Sequence, residues 1–342
     1  MTTKVLLINE MGGGLGHILP LANLAKDYLD AGAIVFLAVR NIYEPIRAKI
    51  DPRIQVIQLP TPPLKNFSAT PATTLAEILF NKGLAYPEIL DPLLNAWRTI
   101  LDIINPQIIA FDYSPVAMLA AENYPALKII HSSPFCVPAG INKALTKTQS
   151  NGEKTIADSN EIDLINNFNR NRKKPLKLLS DIFDADVINI LGVAKLDIYK
   201  DDRKAGAFYV NVPPPKMSFK KAKWPSVGLK VFVYLKPFAK NSSPILQTLK
   251  KLTDNLIVFN GENDPLDMND ILATADAVVC HGGNGLANQA LSVNIPLLLA
   301  PTNLEELQIA LLAEKQNLAT VIYSDTDSAG IFDSVNGFVA GI

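Results

Sequence analysis

The sequence predicts an α/β protein built on parallel sheets and divided into two domains. Short apolar, β-branched runs alternate with segments of helical spacing in the first third of the chain and again in the last third, which is the pattern of βαβ units. A length of 342 residues exceeds the roughly 250–300 at which a single core stops growing. All 3 histidines follow apolar, β-branched runs, and two of them, His17 and His281, stand in glycine-rich strings. In open α/β sheets, strand ends of this kind form ligand sites.

In chain order, 4–9 reads as a strand and 17–30 as a helix, whose Ile18, Leu21, Leu24, Ala25 and Tyr28 follow helical spacing. Gly32 stops that helix before a strand over 33–39. A strand over 54–59 leads into a proline-rich surface loop over 60–71. Segments 73–83 and 88–104 read as helices, 107–112 as a strand, 115–123 as a helix and 128–133 as a strand. From 138 to 183 the chain is polar and short of strand signals. Within it, Arg170, Arg172, Lys173, Lys174 and Lys177 form a basic run: a solvated face, or a patch for an anionic membrane surface or acidic acceptor. Residues 205–228, with Pro213, Pro214, Pro215 and Pro225, read as a linker between domains 1–205 and 206–342. The alternation then restarts: strands over 230–235, 255–260, 276–281, 296–301 and 320–324, with helices over 244–252, 268–274, 284–293 and 304–316.

Composition narrows the function. Lys+Arg number 32 and Asp+Glu 33, a net charge of −1, so electrostatics offers no case for a nucleic-acid partner. Cys136 and Cys280 lack metal-ligand spacing and read as buried thiols. No apolar run reaches membrane-span length and no secretory leader is evident, so a cytoplasmic protein is expected, with peripheral membrane contact left open.

The string His281-Gly282-Gly283-Asn284-Gly285 joins a strand to a helix. Glycines there let the backbone approach a ligand, and the helix N-terminus offers unpaired N–H groups and the positive end of a dipole, which together suit a phosphate. The alternative is a tight turn that His281 merely caps. Glu305 and Glu306, in the loop after the next strand, either accept hydrogen bonds from ligand hydroxyls or charge a helix N-terminus to suit its dipole.

The segment 276–319 resembles the donor-binding region of family 1 glycosyltransferases, the UDP-glycosyltransferase-like, GT-B-fold enzymes of bacterial type. Gly16-His17-Ile18-Leu19-Pro20 resembles their acceptor-domain opening, and 105–112 resembles the strand that delivers their dyad aspartate. The three matches fall in the family's order and span nearly the whole chain. The resemblance implies two facing Rossmann-like domains with the active site between them, the C-terminal one shortened by about one βα unit between Leu235 and Asp276. It implies an inverting transfer of sugar from a UDP- or dTDP-sugar to a hydroxyl of a small acceptor, with no cofactor and no metal. His17 would be the general base and Asp112 its orienting partner. Gly16, His281, Gly282, Gly283, Asn284, Gly285, Gln289, Glu305 and Glu306 would hold the nucleotide sugar. His131 and Phe135 would line the acceptor pocket, unless His131 is a satisfied structural histidine.

Departures from the family string bear on turnover. Leu286 stands where a small hydroxyl residue is usual, Gln289 replaces an acidic residue and Glu306 replaces glutamine. The first strand of the second half ends at Lys236, a phosphate counter-charge or a surface lysine. A non-catalytic GT-B protein that binds a nucleotide sugar or a protein partner is the alternative. A nicotinamide oxidoreductase is disfavoured: Gly12 and Gly14 mimic a dinucleotide fingerprint, but His17 takes the place of its third glycine and the second strand ends at Arg40.

Overall fold

The computed structural model describes residues 2–63, 67, 71–146, 151–170, 172–212, 219–260 and 266–342. The chain divides into two compact units: Met1–Leu191 with Tyr199–Val210, and Gly192–Ile198 with Asn211–Ile342.

In the first unit the elements run β1 (Lys4–Asn9), α1 (Leu15–Asp30), β2 (Ile34–Val39), α2 (Tyr43–Arg47), β3 (Gln55–Gln58), α3 (Leu75–Phe80), α4 (Pro87–Ile104), β4 (Ile108–Asp112), α5 (Pro115–Ala120), β5 (Leu127–Ser132), α6 (Asn151–Asn169), β6 (Val187–Leu191) and β7 (Ala207–Val210). The strands form one seven-stranded sheet in the order β3-β2-β1-β4-β5-β6-β7. Every pairing is parallel. Both faces are covered, which is why β1 reads as an unbroken apolar run rather than an alternating one. Leu6 and Ile8 join the core cluster that holds Trp97, while Val5 and Leu7 join the cluster under α1.

In the second unit the elements are β8 (Val231–Tyr234), α7 (Ser242–Leu252), β9 (Leu256–Phe259), α8 (Met268–Thr274), β10 (Ala277–Cys280), α9 (Asn284–Ser292), β11 (Leu297–Leu299), α10 (Leu304–Lys315), β12 (Thr320–Val321) and α11 (Ser328–Ala340). Five parallel strands order as β12-β11-β10-β8-β9. The two faces are again filled separately: Phe232, Val278 and Leu299 on one side, Val231, Val233 and Leu298 on the other.

Five of the elements named above were not anticipated from the sequence. The polar stretch 138–183 contains α6, β6 follows it without having been anticipated, and residues 207–210, inside the expected linker, form edge strand β7 of the first sheet. Helices α2 and α11 have no counterpart in the sequence reading; α11 opens on the Asp327 carboxylate, which accepts the Gly330 N–H at 2.8 Å. Part of the 60–71 loop, and Pro213, Pro214 and Pro215, lie outside the described residues. Of the basic run, Arg170 pairs with Asp91 at 2.8 Å and Arg172 with Glu122 at 2.6 Å.

Candidate functional site

In an open parallel sheet the loops diverge where strand order reverses, leaving a crevice at the strand ends. In the first sheet the reversal lies between β1 and β4, because β2 and β3 extend one way and β4 to β7 the other. Asn9 and Asp112 are the last residues of those two strands and are register partners. The Asp112 carboxylate collects three donors there. Its Oδ2 accepts from Asn9 Nδ2 at 2.7 Å and from His17 Nδ1 at 2.8 Å, and its Oδ1 accepts from Ser132 Oγ at the end of β5. Burial alone would raise the Asp112 pKa. The adjacent His17 charge and the hydrogen bonds from His17, Ser132 and Asn9 outweigh that and hold it below the usual carboxylate value.

His17 reaches this carboxylate from the first turn of α1, whose N-cap Gly14 has φ 78°. Gly12 is required by a close approach: a Cβ there would lie 2.4 Å from His17 Nδ1 and 2.5 Å from Asn9 Nδ2. Gly16, by contrast, is exposed with open space beside it. His131 is buried, its Nδ1 has no hydrogen-bond partner, and burial lowers its pKa despite the nearby Asp112 charge. Phe135 sits in a short 3-10 turn and packs edge-on against Tyr113, ring centroids 6.2 Å apart.

Sequence reasoning did not single out Asn9, Ser132 or Glu10. The signal was present for the first two, each a polar residue closing an apolar strand. Glu10 follows β1, is buried, and accepts the N–H groups of Val116 at 3.0 Å and Ala117 at 3.2 Å at the start of α5. Burial pushes its carboxyl up to about 7, against the pull of those bonds.

In the second unit the reversal lies between β8 and β10. His281, the first residue past β10, is buried. Its Nδ1 lies 2.7 Å from the Ala300 carbonyl, and its Nε2 lies 2.6 Å from the Lys236 backbone nitrogen. A carbonyl only accepts and an amide N–H only donates, so the ring is the neutral tautomer protonated on Nδ1. Burial pushes the His281 pKa down, in keeping with that form. Both ring nitrogens of His281 are thus engaged by backbone groups.

Gly282 has φ 92°, a left-handed conformation that favours glycine. Nothing lies within 4 Å of where a Cβ would stand on Gly283 or Gly285. Helix α9 begins at Asn284 with no side-chain cap and no acidic residue in its first turn. Gln289 is half-buried on α9, beyond the turn. Glu305 is half-buried in the first turn of α10. Glu306 is buried, and its observed partners are those of a helix terminus: Oε2 accepts the Thr302 N–H at 2.8 Å and hydroxyl at 2.7 Å, while Oε1 pairs with Lys236 Nζ at 3.1 Å. The helix-charging alternative describes Glu306 better than the sugar-binding one.

No family model and no curated protein matches the chain. Solved structures do. The glycotransferase of kitacinnamycin superposes with a TM-score of 0.67 at 14% identity, covering 99% of this chain and 91% of that one. The spinosyn rhamnosyltransferase SpnG, solved with spinosyn aglycone, gives 0.64 at 14% identity, covering 98% and 91%. The glycosyltransferase VinC, solved with dTDP, gives 0.64 at 13% identity, covering 99% and 91%. The chain has the GT-B glycosyltransferase fold. For a GT-B chain, the Asp112 cluster falls in the N-terminal unit and the glycine turn in the C-terminal one. No helix among the described residues is long and apolar enough to cross a membrane.

Proposed function

We propose that the protein is an inverting glycosyltransferase that moves a sugar from a UDP- or dTDP-sugar to a hydroxyl of a small acceptor. The observation that carries this reading is the His17–Asp112 pair, 2.8 Å apart at the strand-order reversal of the first sheet, with the carboxylate buried and triply donated. With Nδ1 committed to Asp112, proton abstraction falls to Nε2. Abstraction there leaves an imidazolium beside a carboxylate that stays ionised, and attack of the resulting oxygen on the anomeric carbon from the side opposite the leaving group inverts configuration. For the charge that develops on a departing diphosphate, the N–H groups of α9 and the open backbone of Gly283 are candidate preorganised donors. This path uses no metal.

The GT-B fold, shared with VinC and SpnG over nearly the full chain, supports the same reading. Incubation with a panel of UDP- and dTDP-sugars, with and without acceptor alcohols, should release nucleoside diphosphate, and His17→Ala should abolish the acceptor-dependent part. Equal release by both proteins removes His17 as the base. Stabilisation by nucleotide sugars with no turnover at any acceptor supports instead the non-catalytic binder, a reading favoured by Leu286, which offers no hydroxyl at the turn.

A further inference from the structure

We propose that Lys236 is the side chain that meets the donor diphosphate, and that His281 serves it as a positioning residue. This rests on the glycosyltransferase reading and concerns the C-terminal unit alone. Lys236 lies two residues past the end of β8 and His281 one past β10, so they stand on the two sides of the strand-order reversal. His281 has no N–H to turn toward a ligand, since its one ring proton goes to the Ala300 carbonyl. Its other nitrogen accepts the Lys236 backbone N–H at 2.6 Å, which ties the β8 loop to the glycine turn.

The Lys236 ammonium is held at 3.1 Å from Glu306 Oε1 and 3.1 Å from Thr302 Oγ1, with 34% of the side chain exposed. The first turn of α10 also borders the glycine turn: the Glu306 carbonyl would lie 3.4 Å from a Cβ on Gly282. Glu306 thus links the two: its side chain pairs with the cation and its backbone borders the turn that leads into α9. An ammonium has three N–H donors, of which Glu306 Oε1 and Thr302 Oγ1 take two, so a pyrophosphate arriving there takes the third while the buried Glu306 keeps its counter-charge. The cation also offsets the charge that the buried Glu306 would otherwise set against the anion.

Calorimetric titration of the full chain with UDP and UMP tests this. Hydrogen bonds to charged groups are worth about 1.5–3 kcal/mol, so Lys236→Ala should weaken UDP binding roughly 10- to 100-fold and UMP binding less than about 3-fold. Lys236→Arg should retain most of the UDP preference, and Lys236→Met, which keeps the apolar stem, should behave as the alanine variant does. His281→Gln should weaken UDP about 10-fold, and combining it with Lys236→Ala should add little, since the histidine acts through the lysine. Unchanged UDP preference in both Lys236→Ala and Lys236→Met overturns the assignment while leaving the glycosyltransferase reading standing. Additive losses in the double variant overturn the positioning role. A wild-type protein that binds UDP, UMP, dTDP and dTMP equally poorly overturns both readings.

Discussion

Replacing Asp112 by asparagine keeps the shape of the site and removes its charge. The carboxylate faces His17 Nδ1 at 2.8 Å, so charge centres about 4 Å apart interact by about 4 kcal/mol at an effective dielectric near 20. The pair matters to catalysis only once His17 has taken a proton, so most of this falls on the transition state and intermediate. The new amide can keep its oxygen toward Asn9 Nδ2 and His17 Nδ1 only if its N–H₂ faces Ser132, whose hydroxyl must then turn from donor to acceptor. Together these put the loss in kcat/KM at roughly 100- to 1,000-fold, with KM for the nucleotide sugar nearly unchanged. Initial rates across a sugar-donor panel provide the assay. A kcat/KM within about 3-fold of wild type would refute the base–orienter assignment. Stability supplies a second reading. The Asp112 pKa is lowered on folding, so its contribution is complete above the unfolded value near 3.9 and is lost as pH falls through the folded value. The asparagine variant should lack that component of acid unfolding, seen as a flatter urea midpoint below pH 4.

The other expectations concern the neighbours. Gly12→Ala puts a methyl 2.4 Å from His17 Nδ1 and should cut kcat at least about 100-fold while circular dichroism stays native; full activity would mean that His17 does not work from this position. Glu10→Gln should leave the protein more stable than wild type above pH 7. The raised carboxyl gives its stability at low pH and loses it as pH rises through about 7, whereas the neutral amide has nothing to lose; urea midpoints from pH 5 to 9 check the sign. His131, with its pKa lowered by burial, contributes stability above the unfolded value near 6.5 that is lost as pH falls, so His131→Leu should reduce the drop in Tm between pH 7 and 5. Gly283→Ala has open space beside it and φ −55°, so it should fold normally yet weaken UDP binding about 10-fold or more; unchanged affinity would move the diphosphate away from this turn.

Much of the fold can be read from local pattern. Val5–Ile8 and Ala277–Cys280 are apolar on both faces because parallel strands are covered on both sides, and the strands with this signature were the easiest to place. β7 lacked it. Its Phe208 and Tyr209 are exposed, so an edge strand resembles a linker until its partner is known. α6 was missed for a related reason: its buried face mixes Ala157, Leu164 and Phe168 with Asn160 and Asn167, which leaves only a thin apolar stripe in a polar segment. Among the candidate residues, glycine strings drew attention to His17 and the 281–285 turn, and the family resemblance of 105–112 to Asp112, since each is a matter of a few adjacent residues.

What the residues pair with was beyond local reading. Asn9, Asp112 and Ser132 meet across 103 and 20 positions of sequence because β1, β4 and β5 are neighbours, and only strand order makes them so. The same holds for His281, which from sequence is an imidazole beside a phosphate loop. Its proton and its lone pair both prove to be taken by the distant Ala300 and Lys236 backbones, and hydrogen-bond satisfaction in a buried site is decided by the whole sheet rather than by any one segment. Sequence alone therefore determined which side chains are brought to the strand ends, through periodicity and turn chemistry. Tertiary structure alone decided which of them retain an atom to offer a ligand, because that depends on neighbours the chain supplies from elsewhere.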